Sequence, residues 1–255
     1  MKVVILAGGY GTRLSEETDS IPKPLVEIGG RPILWHIMKL YSHFGLNDFV
    51  ICAGYKSHLI KRYFANYARE NSDLLVDLGR GTVEHLNAHV EDWRVTIVDT
   101  GLDTMTGGRI RRVRSYLGND AFCLTYGDGL AAIDIKALLD FHAREGRLAT
   151  ITAVPSPGRF GILSIDEQNC VTSVQEKPPN EMGYINGGFF VVEPKAIDVI
   201  DGDTTSWERE PLQRLAAAGQ LSAYHHVGFW KPMDTLRDKR ELDALWASRS
   251  PPWTF

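Results

Sequence analysis

The sequence predicts an α/β fold in a single domain over residues 1–255, with a mostly parallel mixed sheet flanked by helices. Three observations point to it. Through the first half of the chain short apolar runs alternate with amphipathic stretches of helical period. A glycine-rich loop follows the first apolar run directly. Beyond about residue 150 the pattern turns strand-rich, broken by proline and glycine.

Taken in order, residues 3–7 form a continuous apolar run of strand length and read as a buried strand. Pro32 opens a helix at its first position, where a missing N–H costs nothing. Ile33, Leu34, Ile37, Met38, Tyr41 and Phe44 then share one face until Gly45 stops the helix. Residues 49–53 are the second strand. Ser57 caps a helix to about residue 67, residues 95–98 are a third strand, 107–117 a short Arg-rich helix and 121–126 another buried strand. Residues 135–145 form a helix ended by Gly146, and 150–154 a strand. Further strands are expected at 161–165, 171–176, 189–192 and 221–226. Helices are expected from Pro194, over about 207–218 and over 235–246. The stretch 69–87 has no clear period, and no repeat, low-complexity tract or linker divides the chain.

Composition excludes several function classes. Lys and Arg total 28 against 32 Asp and Glu, a net charge of −4 with no long basic run, so the chain is built neither to neutralise nucleic-acid phosphates nor to coat an anionic membrane. Hydrophobic residues at 44% suffice for a substantial core, yet no apolar stretch nears the ~18–20 residues of a membrane span. The first apolar run is too short for a signal-peptide core. Cys52, Cys123 and Cys170 are odd in number and far apart, which fits reduced, buried thiols in a cytoplasmic protein.

The sharpest motif is Gly8-Gly9-Tyr10-Gly11-Thr12-Arg13-Leu14, with Lys23 following in Pro22-Lys23-Pro24. Glycines let the backbone turn tightly and bring N–H groups against an anion, Thr12 adds a hydroxyl donor, and Arg13 and Lys23 supply positive charge: a polyphosphate cradle. The dinucleotide fingerprint is absent, because Leu14 stands where its third glycine belongs. A Walker loop is absent too, because no Gly-Lys-Ser/Thr follows. Prolines on both sides of Lys23 restrict its backbone, which suits an ammonium that must be aimed.

These residues resemble the signature of the sugar-1-phosphate nucleotidylyltransferases. Further stretches resemble the family's glucose-1-phosphate cytidylyltransferase branch, among them Met105-Thr106-Gly107-Gly108-Arg109, Thr125-Tyr126-Gly127-Asp128-Gly129, Gln175-Glu176-Lys177-Pro178, Ile185-Asn186-Gly187-Gly188 and Gly228-Phe229-Trp230-Lys231-Pro232-Met233-Asp234-Thr235. The resemblance runs almost end to end. It implies a Rossmann-like fold of the nucleotide-diphospho-sugar transferase type, with a nucleotide-binding half to about residue 130 and a sugar-binding half beyond. It implies transfer of a nucleotidyl group from CTP to glucose 1-phosphate with Mg²⁺, in a homo-oligomer, and further implies a supply of CDP-glucose for 3,6-dideoxyhexoses of surface polysaccharide. UTP, dTTP or another sugar phosphate would suit the same residues, because a carbonyl can read cytosine as well as a side chain can. A non-catalytic nucleotide-sugar sensor would be expected to lack Lys23 or a metal-binding aspartate.

Carried over by position, the resemblance implies Arg13, Lys23 and Asp128 as catalytic. It places Ala7, Gly8, Gly9, Gly11, Thr12, Thr106, Gly107, Gly108 and Arg109 against the nucleotide, and Glu176, Lys177, Asn186 and Gly187 against the sugar phosphate. Asp128 and Asp234 would hold the metal; taken alone, the first reads equally as an Asp-Gly turn and the second as a helix cap. Lys231 stands where these relatives are expected to carry Gln, close enough in sequence to Asp234 to alter metal or phosphate affinity. His85 and His89 read as surface histidines, because no third zinc ligand follows. Arg109, Arg111, Arg112 and Arg114 read as a solvated basic face from which Arg109 reaches a phosphate, and Asp201-Gly202-Asp203 as a turn. Trp253 and Phe255 at the apolar end pack either on this core or on a neighbouring subunit.

Overall fold

The computed structural model describes residues 1–155, 162–175 and 183–254; for residues 13, 15, 16, 162, 163, 174 and 175 it describes the backbone alone. Among the described residues nine strands build the main sheet: β1 (Lys2–Ala7), β2 (Asp48–Ala53), β3 (Arg94–Asp99), β4 (Phe122–Tyr126), β5 (Ala149–Pro155), β6 (Ile162–Ile165), β7 (Val171–Gln175), β8 (Tyr184–Val192) and β9 (Leu221–His225). Their order is β7-β6-β8-β4-β1-β2-β3, with β5 joining β8 to β9. Strands β4, β1, β2 and β3 run parallel, and β8 enters antiparallel to both β4 and β5. The longer helices are α1 (Ile33–His43), α2 (Ser57–Glu70), α3 (Thr106–Arg112), α4 (Ile135–Glu145), α5 (Glu210–Ala217) and α6 (Leu236–Ala247).

The continuous apolar run of β1 is explained by burial on both faces. Val3, Ile5 and Ala7 pack toward α1 with Phe49, Ile51 and Tyr41, while Val4 and Leu6 face the opposite layer with Val50, Ile110 and Val113. Mixed parallel order with helices on both faces is the architecture the alternating pattern predicts, and no helix among the described residues is long and apolar enough to cross a membrane.

Local differences have local causes. Pro32 precedes α1 instead of opening it, because residues 31–32 pair with Glu27–Ile28 as a short ladder. Ser57 is the first helical residue and no cap: Lys56 takes the left-handed conformation ahead of it (φ 48°), and the Ser57 hydroxyl donates to Asp99 at 2.9 Å. The Arg-rich helix breaks at Val113 into two pieces, and Pro194 opens a 3-10 helix (Pro194–Val199). Strand β8 begins five residues before the predicted start at 189, running through Asn186-Gly187-Gly188, because Tyr184, Ile185 and Asn186 pair with Pro155, Val154 and Ala153 across a bulge in β5.

The stretch 69–87 finishes α2 and then forms an isolated hairpin, Asp73–Asp77 paired with Thr82–Leu86. Leu74, Leu75, Val76, Leu78, Val83 and Leu86 are all exposed on it, Leu78 at 89%. The tail resolves one open alternative. Trp253 is buried on this chain's own core, stacked against Phe229 and Trp246, with its Nε1–H donating to His36 Nδ1 at 3.3 Å; Phe255 lies outside the described residues. All three cysteines are free, and burial pushes the Cys52 and Cys123 thiols up to about 12, so neither is a nucleophile at neutral pH.

Candidate functional site

The parallel strands β1, β2, β3 and β4 end at the same edge, and a cleft of about 920 Å³ opens there. Residues 6–12 form one wall, with Ala7 buried and Gly9 and Thr12 exposed to the opening. Gly11 has a φ of +68°, and a Cβ on it would sit 2.9 Å from the Thr18 methyl and 3.2 Å from Lys23 Cβ. The glycine therefore permits both the turn and the approach of the Pro22-Lys23-Pro24 segment. Thr12, Arg13 and Leu14 make a 3-10 turn closed by the Leu14 N–H on the Gly11 carbonyl at 2.9 Å; the Arg13 side chain lies outside the described residues.

Lys23 is nearly buried, at 9% exposure, and its ammonium donates to Asp128 Oδ2 at 2.5 Å and to Asp234 Oδ1 at 2.8 Å. Burial opposes the charge, but the attraction and hydrogen bonds of the two carboxylates outweigh it and hold the ammonium above its ordinary value. The aspartates meet because strand segments Gly129–Ala131 and Trp230–Pro232 pair antiparallel, Gly129 opposite Pro232, with the Met233 N–H on the Asp128 carbonyl at 2.8 Å. Asp234 is not a helix cap. Thr235 caps α6, in a reciprocal box with Asp238. Lys231, the departure at this position, pairs with Asp238 at 3.4 Å and with Glu241.

Other predicted residues have protein partners. Arg109 is buried, and its guanidinium donates to the carbonyls of Gly8, Ala53, Gly101 and Leu102 and to the Thr100 hydroxyl. It ties together the ends of β1, β2 and β3 and stands behind the glycine loop, in place of the predicted exposed face. Arg112 and Arg114 are ion-paired with Asp203 and Asp198, and Asp201 with Arg214. Asp201-Gly202-Asp203 is accordingly a turn, as predicted. Asn186 donates to the Tyr126 hydroxyl at 2.9 Å, and the Gly187 carbonyl accepts from Trp230 Nε1 at 2.7 Å. A Cβ on Gly187 would lie 2.8 Å from the Val154 side chain, so its close neighbour is β5. Glu176 and Lys177 lie outside the described residues, as do the other residues of 176–182. His85 and His89 are exposed, and no cluster of three or more His, Cys, Asp or Glu suited to a metal occurs among the described residues.

A model of the nucleotidyl transferase family matches residues 2–231, which takes in both the glycine loop and Asp128. The chain belongs to this family. Among curated nucleotidyl transferases, the glucose-1-phosphate cytidylyltransferase of Salmonella typhi is 57% identical over 254 residues, covering 99% of this chain and 98% of the relative. The probable glucose-1-phosphate cytidylyltransferase of Bacillus subtilis is 44% identical over 99% of each. The crystal structure of HddC from Yersinia pseudotuberculosis shares the fold at a TM-score of 0.77 and 24% identity, covering 96% of this chain and 99% of that one. UDP-glucose pyrophosphorylase complexed with UDP-glucose does so at 0.74 and 17%, covering 97% and 98%.

Within the cleft of this nucleotidyl transferase, the lining residues that sequence reasoning missed include Tyr10, Asp103 and Glu208. Tyr10 donates to Asp103 Oδ1 at 2.8 Å across the cleft mouth, and Glu208 lies deeper, between Thr106 and Tyr126. Glu208 sits in a stretch the sequence assigns only to the start of a helix, and nothing in its spacing marks it.

Proposed function

We propose that this chain transfers the cytidylyl group of CTP to α-D-glucose 1-phosphate. A phosphate oxygen of the sugar phosphate forms a bond to the α-phosphorus of CTP as the bond from that phosphorus to the bridging oxygen breaks, and pyrophosphate leaves with the electron pair. The observation that carries this reading is the meeting of Lys23, Asp128 and Asp234 beside the glycine loop, in a chain so similar throughout to glucose-1-phosphate cytidylyltransferases. Lys23 serves as the cation that holds the reacting phosphates against their mutual repulsion, and Thr12, Arg13 and the loop amides serve as triphosphate donors. Ala7, Gly8, Gly9 and Gly11 form the wall against the nucleotide, while Glu176, Lys177 and Asn186 serve the hexose phosphate.

Asp128 and Asp234 fit a divalent cation such as Mg²⁺, because their carboxylates already converge on one positive charge, the Lys23 ammonium. Bound there, the ion would supply neutralisation of triphosphate charge and polarisation of the phosphorus centre. Pyrophosphate release measured with glucose 1-phosphate, Mg²⁺ and each of CTP, UTP, dTTP and ATP tests the reading. Release with CTP alone is expected. Release with another triphosphate would overturn the base assignment, and release with none would overturn the activity.

The protein acts in the cytoplasm as a homo-oligomer on this reading. A two-stranded hairpin alone is marginal in water, and this one exposes six large apolar side chains together with Asp73 and Glu84, while α2 exposes Lys61, Arg62 and Arg69. Each copy thus carries apolar surface and both signs of charge, which suits contact with a second copy. Light scattering is expected to give a multiple of 28.5 kDa; Leu75→Glu with Val83→Glu should return it to the monomer.

A further inference from the structure

Glu208 joins the two sides of the cleft. Its Oε2 accepts from the Thr106 hydroxyl at 2.6 Å, and its Oε1 from the Tyr126 hydroxyl at 2.7 Å. Each hydroxyl also accepts a bond, Thr106 from the Trp207 N–H at 2.9 Å and Tyr126 from Asn186 Nδ2 at 2.9 Å. Asn186 is fixed in turn, because its Oδ1 accepts the Gly188 N–H at 2.8 Å. A continuous line of directed hydrogen bonds therefore runs from the first residue of α3, on the nucleotide side, to β8, on the hexose side, with one carboxylate at its middle. Burial, then the Glu208 charge, raises the Tyr126 phenol well above its ordinary value, so it stays a donor at every working pH.

The motif around Thr106 serves this line. The Met105 N–H donates to the Asp203 carbonyl at 2.8 Å and the Gly108 N–H to the Thr205 carbonyl at 3.3 Å, so two amides at the start of α3 are used by the chain itself. A Cβ on Gly107 would stand 2.8 Å from the Thr205 carbonyl oxygen. One on Gly108 would stand 2.6 Å from the Asp203 Cα and carbonyl oxygen. Both glycines are thus required for residues 203–207 to lie against α3, and Arg112 clamps the same loop through Asp203 at 2.6 Å. That loop ends by delivering Glu208 to Thr106.

We propose that Glu208 is a positioning residue that couples the two substrate sites: its carboxylate ties the nucleotide-side helix to the Tyr126–Asn186 pair, so that the hexose phosphate is held in place only when the nucleotide has seated α3. The inference rests on the proposed two-substrate reaction and adds a link between the sites. A brace serving stability alone would affect both ligands alike, whereas a coupling residue changes how one ligand alters the affinity of the other.

Calorimetric binding of glucose 1-phosphate, without nucleotide and then with α,β-methylene-CTP in place, reads this coupling without turnover. In the wild-type protein the analogue is expected to tighten sugar-phosphate binding by about tenfold or more. In Glu208→Gln, which keeps the shape but cannot accept from both hydroxyls, the ratio should fall to about one, with binding of the analogue alone changed by less than about threefold. Tyr126→Phe breaks the same line at its other end and should lose the same ratio, and the double variant should be no worse than either single one. A ratio unchanged in both variants, or absent from the wild type, overturns the proposal while leaving the reaction standing. A wild-type protein that binds neither ligand overturns the reaction and the coupling together.

Discussion

Lys23→Met should lower kcat for pyrophosphate release about 10²- to 10³-fold while changing KM for the nucleotide by less than about threefold. Methionine keeps the length and the packing of the stem, so the change removes little but the ammonium. That ammonium sits between two carboxylates whose side chains are 30% and 13% exposed, at the place where the proposed reaction brings two anionic substrates together. Its contribution is therefore made where charge develops, and kcat should carry the loss. A second readout comes from the same geometry. Without the ammonium, Asp128 and Asp234 lose the cation they share, so the variant should be stabilised by added Mg²⁺ or Mn²⁺ more than the wild type is, by mass action on a site the lysine no longer fills. Thermal unfolding across a metal titration measures this. A variant with kcat within about threefold of wild type, or with an unchanged metal response, would show that Lys23 neither serves the phosphates nor competes for the carboxylates.

The parts of this site visible in the sequence are those governed by local chemistry. The glycine loop reads as a phosphate cradle because turn, donors and charge are all encoded within fourteen residues of the amino terminus, and the left-handed backbone at Gly11 bears out the turn. The alternating apolar pattern marks the central parallel strands for the same reason, since burial on both faces leaves a continuous run. What local pattern cannot carry is pairing at a distance. Asp128 and Asp234 come together through a three-residue ladder, and in the sequence only the family resemblance links them. Strand β8 hides behind two consecutive glycines, which read as a loop until β5 supplies the partner. Arg109 reads as one member of a basic face, yet all but one of its partners are carbonyls, at three separate strand ends, and a carbonyl leaves no mark in a sequence. Glu208 has the same problem in sharper form: a glutamate at the start of an expected helix looks like surface, and its meaning lies wholly in Thr106 and Tyr126.

Asp234→Asn is expected to reduce kcat at least 10²-fold, about 3 kcal/mol of transition-state stabilisation, with little change in fold. The asparagine leaves the neighbouring architecture intact. The cap of α6 belongs to Thr235 and Asp238, and the Asp234 main chain keeps its N–H on Asp238 at 3.2 Å. Lys23 keeps an amide oxygen to donate to and loses only one of two countercharges, so its ammonium stays protonated at neutral pH with Asp128 still at 2.5 Å. The loss therefore falls on the charge available to a divalent cation, and Mn²⁺ binding followed by electron paramagnetic resonance should weaken in parallel with kcat. Asp128→Asn should behave alike, and the double variant should cost little more than either alone, because one carboxylate cannot do the work of a pair that acts as a unit. Full activity in Asp234→Asn at saturating Mg²⁺, or Mn²⁺ affinity equal to that of the wild type, would remove Asp234 from the site and leave Lys23 with Asp128 as a structural ion pair.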